Sequence, residues 1–231
     1  ANKEIILLGS SQNLLMPDIS IVKDALEHQP DAIVLTHIGG YPNPDILEIS
    51  NLCKERGVIL IEDCAHSPFV SIDGQYVGTF GDAAILSFFP FFQIPAGEGG
   101  LVILKDPAKA KQARCLRDYG KYPVDGQLHH SLPALPNARM NDFSAAIANV
   151  IINNYKSIIQ HKEELADIYD SELGDYSFKK INYTGSVVAP SYYKYICFIP
   201  DSPIKTSPVY DHTNQITSIL DENSYPYTFV G

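Results

Sequence analysis

Apolar residues recur along the first hundred positions in short runs, separated by stretches with helical spacing. Residues 4–8 are rich in Ile and Leu, end at Gly9 and predict a strand. Pro17 and Asp18 then open a helical pattern through Ile21, Val22, Ala25 and Leu26, with Asp18 as N-cap. Residues 32–35 predict the next buried strand, ending at Thr36 and His37. After a turn-rich stretch holding Gly39, Gly40, Pro42 and Pro44, residues 45–56 place Ile46, Ile49 and Cys53 on one helical face, with Gly57 at the C′ position. Residues 58–61 predict a strand ending at Glu62 and Asp63, and residues 83–88 and 101–104 two more.

This alternation argues for an α/β fold in which helices cover a mostly parallel sheet. In such sheets the polar residues just past the strand C-termini line the ligand crevice. His37 and Asp63 hold that position in two successive units. Further on, residues 107–117 predict a helix and residues 120–137 a polar, proline-rich loop. Asn141 and Asp142 cap a helical pattern that reaches Leu173. Its length predicts a kink or an interdomain linker. The remainder, from about residue 176, is strand-like and aromatic (Tyr192, Tyr193, Tyr195, Phe198), with a short helix over 214–220. The expected organisation is a large α/β domain over 1–150, then a linker helix and part of a smaller α+β domain over 151–231.

Composition narrows the function. A formal net charge of −10 disfavours nucleic acid, which wants clustered Lys and Arg. Cys53, Cys64, Cys115 and Cys197 form no C-x-x-C pair, so neither zinc nor a disulfide framework is implied. No apolar run approaches a membrane span and no secretion signal is visible, so a cytoplasmic protein without a membrane partner is the expectation.

Each polar residue in the loops has a plain structural explanation. Asp63 caps a segment as readily as it binds a ligand. His66 suits a hydrogen-bonded loop, Ser87 a core serine, Arg139 an interdomain cation, and Gly97-Glu98-Gly99-Gly100 a turn. The order and spacing of the pieces are more specific. His37-x-x-Gly40-x-Pro42 is followed by Glu62-Asp63-x-Ala65-His66, Gly78-x-Phe80-Gly81-Asp82, Ser87-Phe88, the 97–100 glycine loop and Asn137-x-Arg139-Met140. This series, across residues 5–195, resembles the DegT-type sugar aminotransferase family, a branch of the fold-type I pyridoxal-phosphate (PLP) enzymes.

The resemblance implies a PLP-transferase-like (aspartate aminotransferase-like) large domain. It also implies site residues. Asp63 matches the aspartate that pairs with the pyridine nitrogen, keeping it protonated so that the ring accepts electrons. His66 matches a position near the coenzyme ring, and Ser87 a phosphate-contacting hydroxyl. Asn137 and Arg139 match a pair near substrate and phosphate that partly reaches across a dimer interface. With His37, those two form the expected substrate crevice. The implied partners are a nucleotide-sugar or a similar small molecule, and a second copy of the chain or a homologue in a dimer.

One departure outweighs the matches. The family places a lysine five residues after the serine and five before the first glycine of the glycine loop; both counts arrive at Phe92. No lysine lies between Lys54 and Lys105. That amine normally holds PLP as an imine and shuttles the proton, and a benzyl group does neither. A positioned acid–base alone is worth about 10²–10⁴-fold in rate. The phosphate-gripping turn that the family carries before the region matching Glu4 also has no counterpart here. The expectation is a fragment, a trimmed chain or a short homologue. No catalytic residue is expected at position 92, and PLP or pyridoxamine phosphate (PMP) is expected to bind without a covalent link or not at all. The expected role is a non-catalytic binding or partner subunit. The alternatives are an enzyme using non-covalent coenzyme on a nucleotide-sugar, and a transaminase whose lysine comes from another chain.

Overall fold

The computed structural model describes residues 4–11, 14–130, 137–173, 180–181, 183, 186 and 188–198. Its centre is a four-stranded sheet. Strand β1 (Ala32–Thr36) pairs in parallel with β2 (Ile59–Asp63), and β2 in parallel with β5 (Ala83–Ser87). β6 (Gly100–Leu104) closes the edge antiparallel to β5. Helix α1 (Ile19–Leu26) precedes β1 and α2 (Ile46–Arg56) links β1 to β2. Asp18 caps α1, accepting from the N–H groups of Ser20 and Ile21. Gly57 closes α2 at φ 69°, in the left-handed region that favours glycine.

Strand side chains alternate between faces, and this decides what each polar residue meets. Ile33, Leu35, Leu60 and Ala84 point towards α1 and α2 and pack with Val22, Leu26, Ile46, Ile49 and Cys53 in the main core. The opposite face carries Val34, Ile59, Ile85 and Val102, all at least 42% exposed. Thr36 and Asp63 are paired in register on that open face, and Ser87 lies two residues beyond Ile85 on the same side.

Two short strands, β3 (Ser71–Ile72) and β4 (Gln75–Tyr76), form a hairpin after β2, and β9 (Val188–Ala189) pairs with β3. Helix α3 (Pro107–Arg117) follows β6, capped by Asp106 with Pro107 in its first turn. The long helical pattern breaks, as its length predicts. α4 (Asp142–Asn153) ends at Asn154, whose side-chain amide donates to Val150 O, and α5 (Tyr155–Leu173) restarts at once.

Two expectations need correction. Residues 4–8 form no strand. Ile5 is 81% and Leu7 90% exposed, and an apolar run becomes a strand only where a sheet edge takes up its backbone groups. Within the expected loop after α3 lies a hairpin, β7 (Lys121–Val124) with β8 (Gln127–His130). Asp125 and Gly126 turn it with φ values of 49° and 79°, the double positive φ of a type I′ turn. That Asp-Gly signal stands in the sequence. The helix expected over 214–220 falls outside the described residues.

Candidate functional site

The candidate site lies where β1, β2 and β5 end. Asp63 is half-buried at the end of β2, and its Oδ1 accepts from Ala65 N–H at 3.0 Å, turning the chain towards His66. Oδ2 takes no donor among the described residues. Ser87 ends β5, and its Oγ accepts from Phe89 N–H at 3.2 Å, which leaves the hydroxyl proton free to donate outward.

His66 stands between two aromatic rings. Phe92 meets it edge-on, with centroids 4.9 Å apart and planes at 84°. Tyr193 lies closer to stacked, at 4.8 Å and 38°. Phe92 and Tyr193 also touch, at 5.8 Å, so the three rings close a corner. The imidazole is held below its ordinary pKa, first by burial. Asp63 opposes that shift and Lys194 adds to it. Lys194 Nζ sits 4.9 Å from the Tyr193 ring centroid, a cation–π contact. Phe89 packs on both Phe92 and Phe91, and Phe91 is 77% exposed.

His37 does not line this crevice. One residue past β1 it keeps the parity of Ile33 and Leu35 and turns into the covered side, fully buried. Its Nδ1 accepts from Asn43 N–H at 3.0 Å, so the ring proton lies on Nε2, which donates to Glu62 Oε2 at 3.0 Å. Glu62, equally buried, also accepts from the backbone N–H groups of Gly78, Phe80 and Gly81 at 2.6–2.8 Å. Burial pushes this carboxyl's pKa up; the hydrogen bonds from His37 and the backbone outweigh it and hold the group below its ordinary value. The pair is a fastener between β1, β2 and the loop before β5.

Cys64 lies near that pair, and ligand atoms of His37, Glu62 and Cys64 fall within 4.8 Å of one another. They do not make a metal site. Both ring nitrogens and both carboxylate oxygens are committed, and burial holds the Cys64 thiol well above its ordinary pKa, away from the thiolate a metal needs.

Arg139 and Asn137 sit with the base of the β7–β8 hairpin. Arg139 pairs with Asp118 and lies over the Tyr119 ring, and Asn137 Oδ1 accepts from Arg139 N–H. Their contacts are with one another and with this hairpin base, not with Asp63, His66 or Ser87.

Several residues that hold the site together had no role assigned from sequence. Gln93, 4% exposed, donates to both O and Oγ of Ser191 at 2.7 Å and accepts from Lys162 of α5. Ser191 N–H in turn donates to Gly40 O, and Lys194 N–H to Gly39 O. Gly39 and Gly40 have positive φ, and a Cβ on Gly40 would lie 2.5 Å from Tyr193 N. These glycines therefore let the 188–198 segment close against the loop after β1. The sequence signal was present, Gly39-Gly40 and the aromatic 192–198 stretch, but not the pairing between them.

Residues 2–218 match the DegT/DnrJ/EryC1/StrS aminotransferase family. The chain belongs to that family. A curated relative, GDP-perosamine synthase of Vibrio cholerae, is 36% identical over 160 residues, spanning 69% of this chain and 42% of the relative. Among solved structures, the aminotransferase TlmJ from Streptoalloteichus hindustanus superposes with a TM-score of 0.73 at 29% identity, over 81% of this chain and 51% of that one. Helicobacter pylori PseC, an aminotransferase involved in the biosynthesis of pseudoaminic acid, gives 0.76 at 19% identity, over 92% and 56%. The fold is that of the PLP-dependent aminotransferases. The chain spans about half the length of these family relatives. Among the described residues no helix is long and apolar enough to cross a membrane.

The fold family implies PLP, and Phe92, at the position that the resemblance gives to the imine-forming lysine, does not fit that role: its ring packs on His66 and Tyr193. Lys162 of α5 donates to Gln93. Burial lowers the Lys162 pKa.

Proposed function

We propose that this chain is a sugar-aminotransferase homologue without transaminase activity, which binds a nucleotide-sugar or related small molecule, or serves as a partner subunit. The observation that carries the reading is the packing of Phe92 against His66 and Tyr193 at the lysine position. An aromatic ring there supplies neither a nucleophile nor a proton carrier. The assembly we propose is a dimer, with a second copy or with a homologue.

The experiment is direct. PLP is added to the purified protein, and the near-visible imine band is sought before and after borohydride. The expected result is no band and no covalent adduct at the site. A bleachable band in the unmodified protein, mapped to a lysine of either chain of a dimer, sinks the proposal. Phe92→Lys is expected to gain the band if the rest of the crevice is intact.

A second reading, a coenzyme held without a covalent bond, is favoured by Asp63. Its Oδ2 takes no donor among the described residues, and the hydroxyl of Ser87, at the end of the neighbouring strand, can still donate. A rise in melting temperature with PMP, by mass action on the folded state, supports that reading. An unchanged melting temperature favours the partner-subunit role.

A further inference from the structure

We propose that the imidazole of His66 is a ring-binding position that Tyr193 of the same chain fills, so that a flat ligand enters the crevice only when that side chain swings aside. This deepens the reading above and rests on it, since it concerns access to a crevice that binds without an imine.

Three observations carry it. Tyr193 approaches His66 at 4.8 Å with planes 38° apart, a tilted contact that covers more of the imidazole face than the edge-on meeting of Phe92 with the same ring. The backbone around Tyr193 is pinned on both sides, by Ser191 N–H on Gly40 O at 2.8 Å and Lys194 N–H on Gly39 O at 2.9 Å. Gln93 adds two further bonds to Ser191 from the loop that carries Phe92. With the main chain fixed at these points, opening is a side-chain rotation of residue 193 rather than a movement of the whole segment. Finally, His66, Phe92 and Tyr193 are all partly exposed, and Lys194 stands against the outer ring. A ligand that replaces the phenol ring would find a cation close by, which suits a flat ring carrying an anionic group.

The test uses the full 231-residue chain, with PMP as the probe because it carries no aldehyde and cannot label surface lysines. Binding is followed by calorimetry in the unmodified protein and in Tyr193→Ala, Tyr193→Leu and Tyr193→Phe, each checked for folding by circular dichroism. Removing the competing ring is expected to tighten PMP binding about tenfold in Tyr193→Ala, the scale of one aromatic ring contact. Tyr193→Leu keeps apolar volume without a flat face and is expected to show the same gain. Tyr193→Phe keeps the ring and is expected to bind like the unmodified protein. Equal affinity across the set, or no measurable PMP binding in any variant, overturns the proposal. An imine band with PLP in the unmodified protein would instead sink the catalysis-free reading and leave the ring competition standing, so the two failures are distinguishable.

Discussion

His37 and His66 follow the ends of successive parallel strands, and both suggest a ligand-facing histidine. The fold treats them differently. His37 lies one residue past β1 and inherits the parity of the strand's buried side. It is fully enclosed, with one nitrogen accepting from Asn43 N–H and the other donating to Glu62. His66 lies three residues past β2, after the turn set by Asp63, and faces out between Phe92 and Tyr193. A residue just beyond a strand is still governed by the two-residue period; a turn releases the next one from it.

The sharpest way to break this contrast is to remove the carboxylate behind His37. Glu62→Ala leaves three backbone N–H groups and the His37 Nε2–H without their acceptor in a dry interior. The expected loss is about 3–5 kcal/mol of folding stability, since each buried donor left without an acceptor costs about 1–3 kcal/mol before the structure relaxes, read as a lower urea midpoint. A Glu62→Ala protein as stable as its parent would mean that the buried network is not what fastens β1 to β2 and the 78–81 loop.

The next effect tests what holds the crevice's outer wall. Gly40 has φ 92°, and a Cβ there would meet Tyr193 N at 2.5 Å; Gly57 also has positive φ, but open space. Gly40→Ala is expected to cost about 2–3 kcal/mol from backbone strain and collision together, against about 1 kcal/mol for Gly57→Ala from strain alone. Thermal melts of the two variants compare them directly. Equal losses would show that the 188–198 segment yields without cost, and that Gly40 does not position Tyr193.

Much of the sheet was legible from short apolar runs and their caps, because β1, β2, β5 and α2 obey simple periodicity and end at Asp63, Ser87 and Gly57. Asp63 was marked by its place past a strand end, whereas His66 and Ser87 were singled out only through the family resemblance. The role of Glu62 was not legible, since its partners are backbone N–H groups sixteen to nineteen residues away, which leave no mark in residue identity. Nor was Gln93, whose bonds to Ser191 span 98 residues. His37 was misplaced because strand-end position was weighed and parity was not. Residues 4–8 misled for the opposite reason: the pattern is that of a strand, but strand formation depends on a neighbour that the pattern cannot supply.

Acid titration sharpens the comparison from another side. Burial holds the His66 pKa below its ordinary 6.5, so the folded state takes up this proton later than the unfolded chain does. Its contribution is therefore fully present above pH 6.5 and is lost as pH falls through the lowered folded value. Glu62 is held below its ordinary 4.5, so its contribution is present above that pH and is lost as pH falls further. Urea midpoints measured from neutral to acid pH are expected to decline in two stages, the His66 stage first. The first stage should vanish in His66→Ala, while the second remains.

That variant is also predicted to have a small effect on stability. His66 is half-buried, and its polar contact is a long 3.5 Å approach from Gly39 N–H. Replacing it with alanine strands no buried charge and removes two ring contacts, at an expected cost of about 1 kcal/mol. Chemical denaturation at pH 8, where the imidazole is neutral in both states, isolates that packing cost from the titration. A loss as large as that of Glu62→Ala would place His66 among the structural fasteners and erase the difference between the two histidines. A loss near 1 kcal/mol leaves it as a side chain the fold can spare, free to meet a ligand.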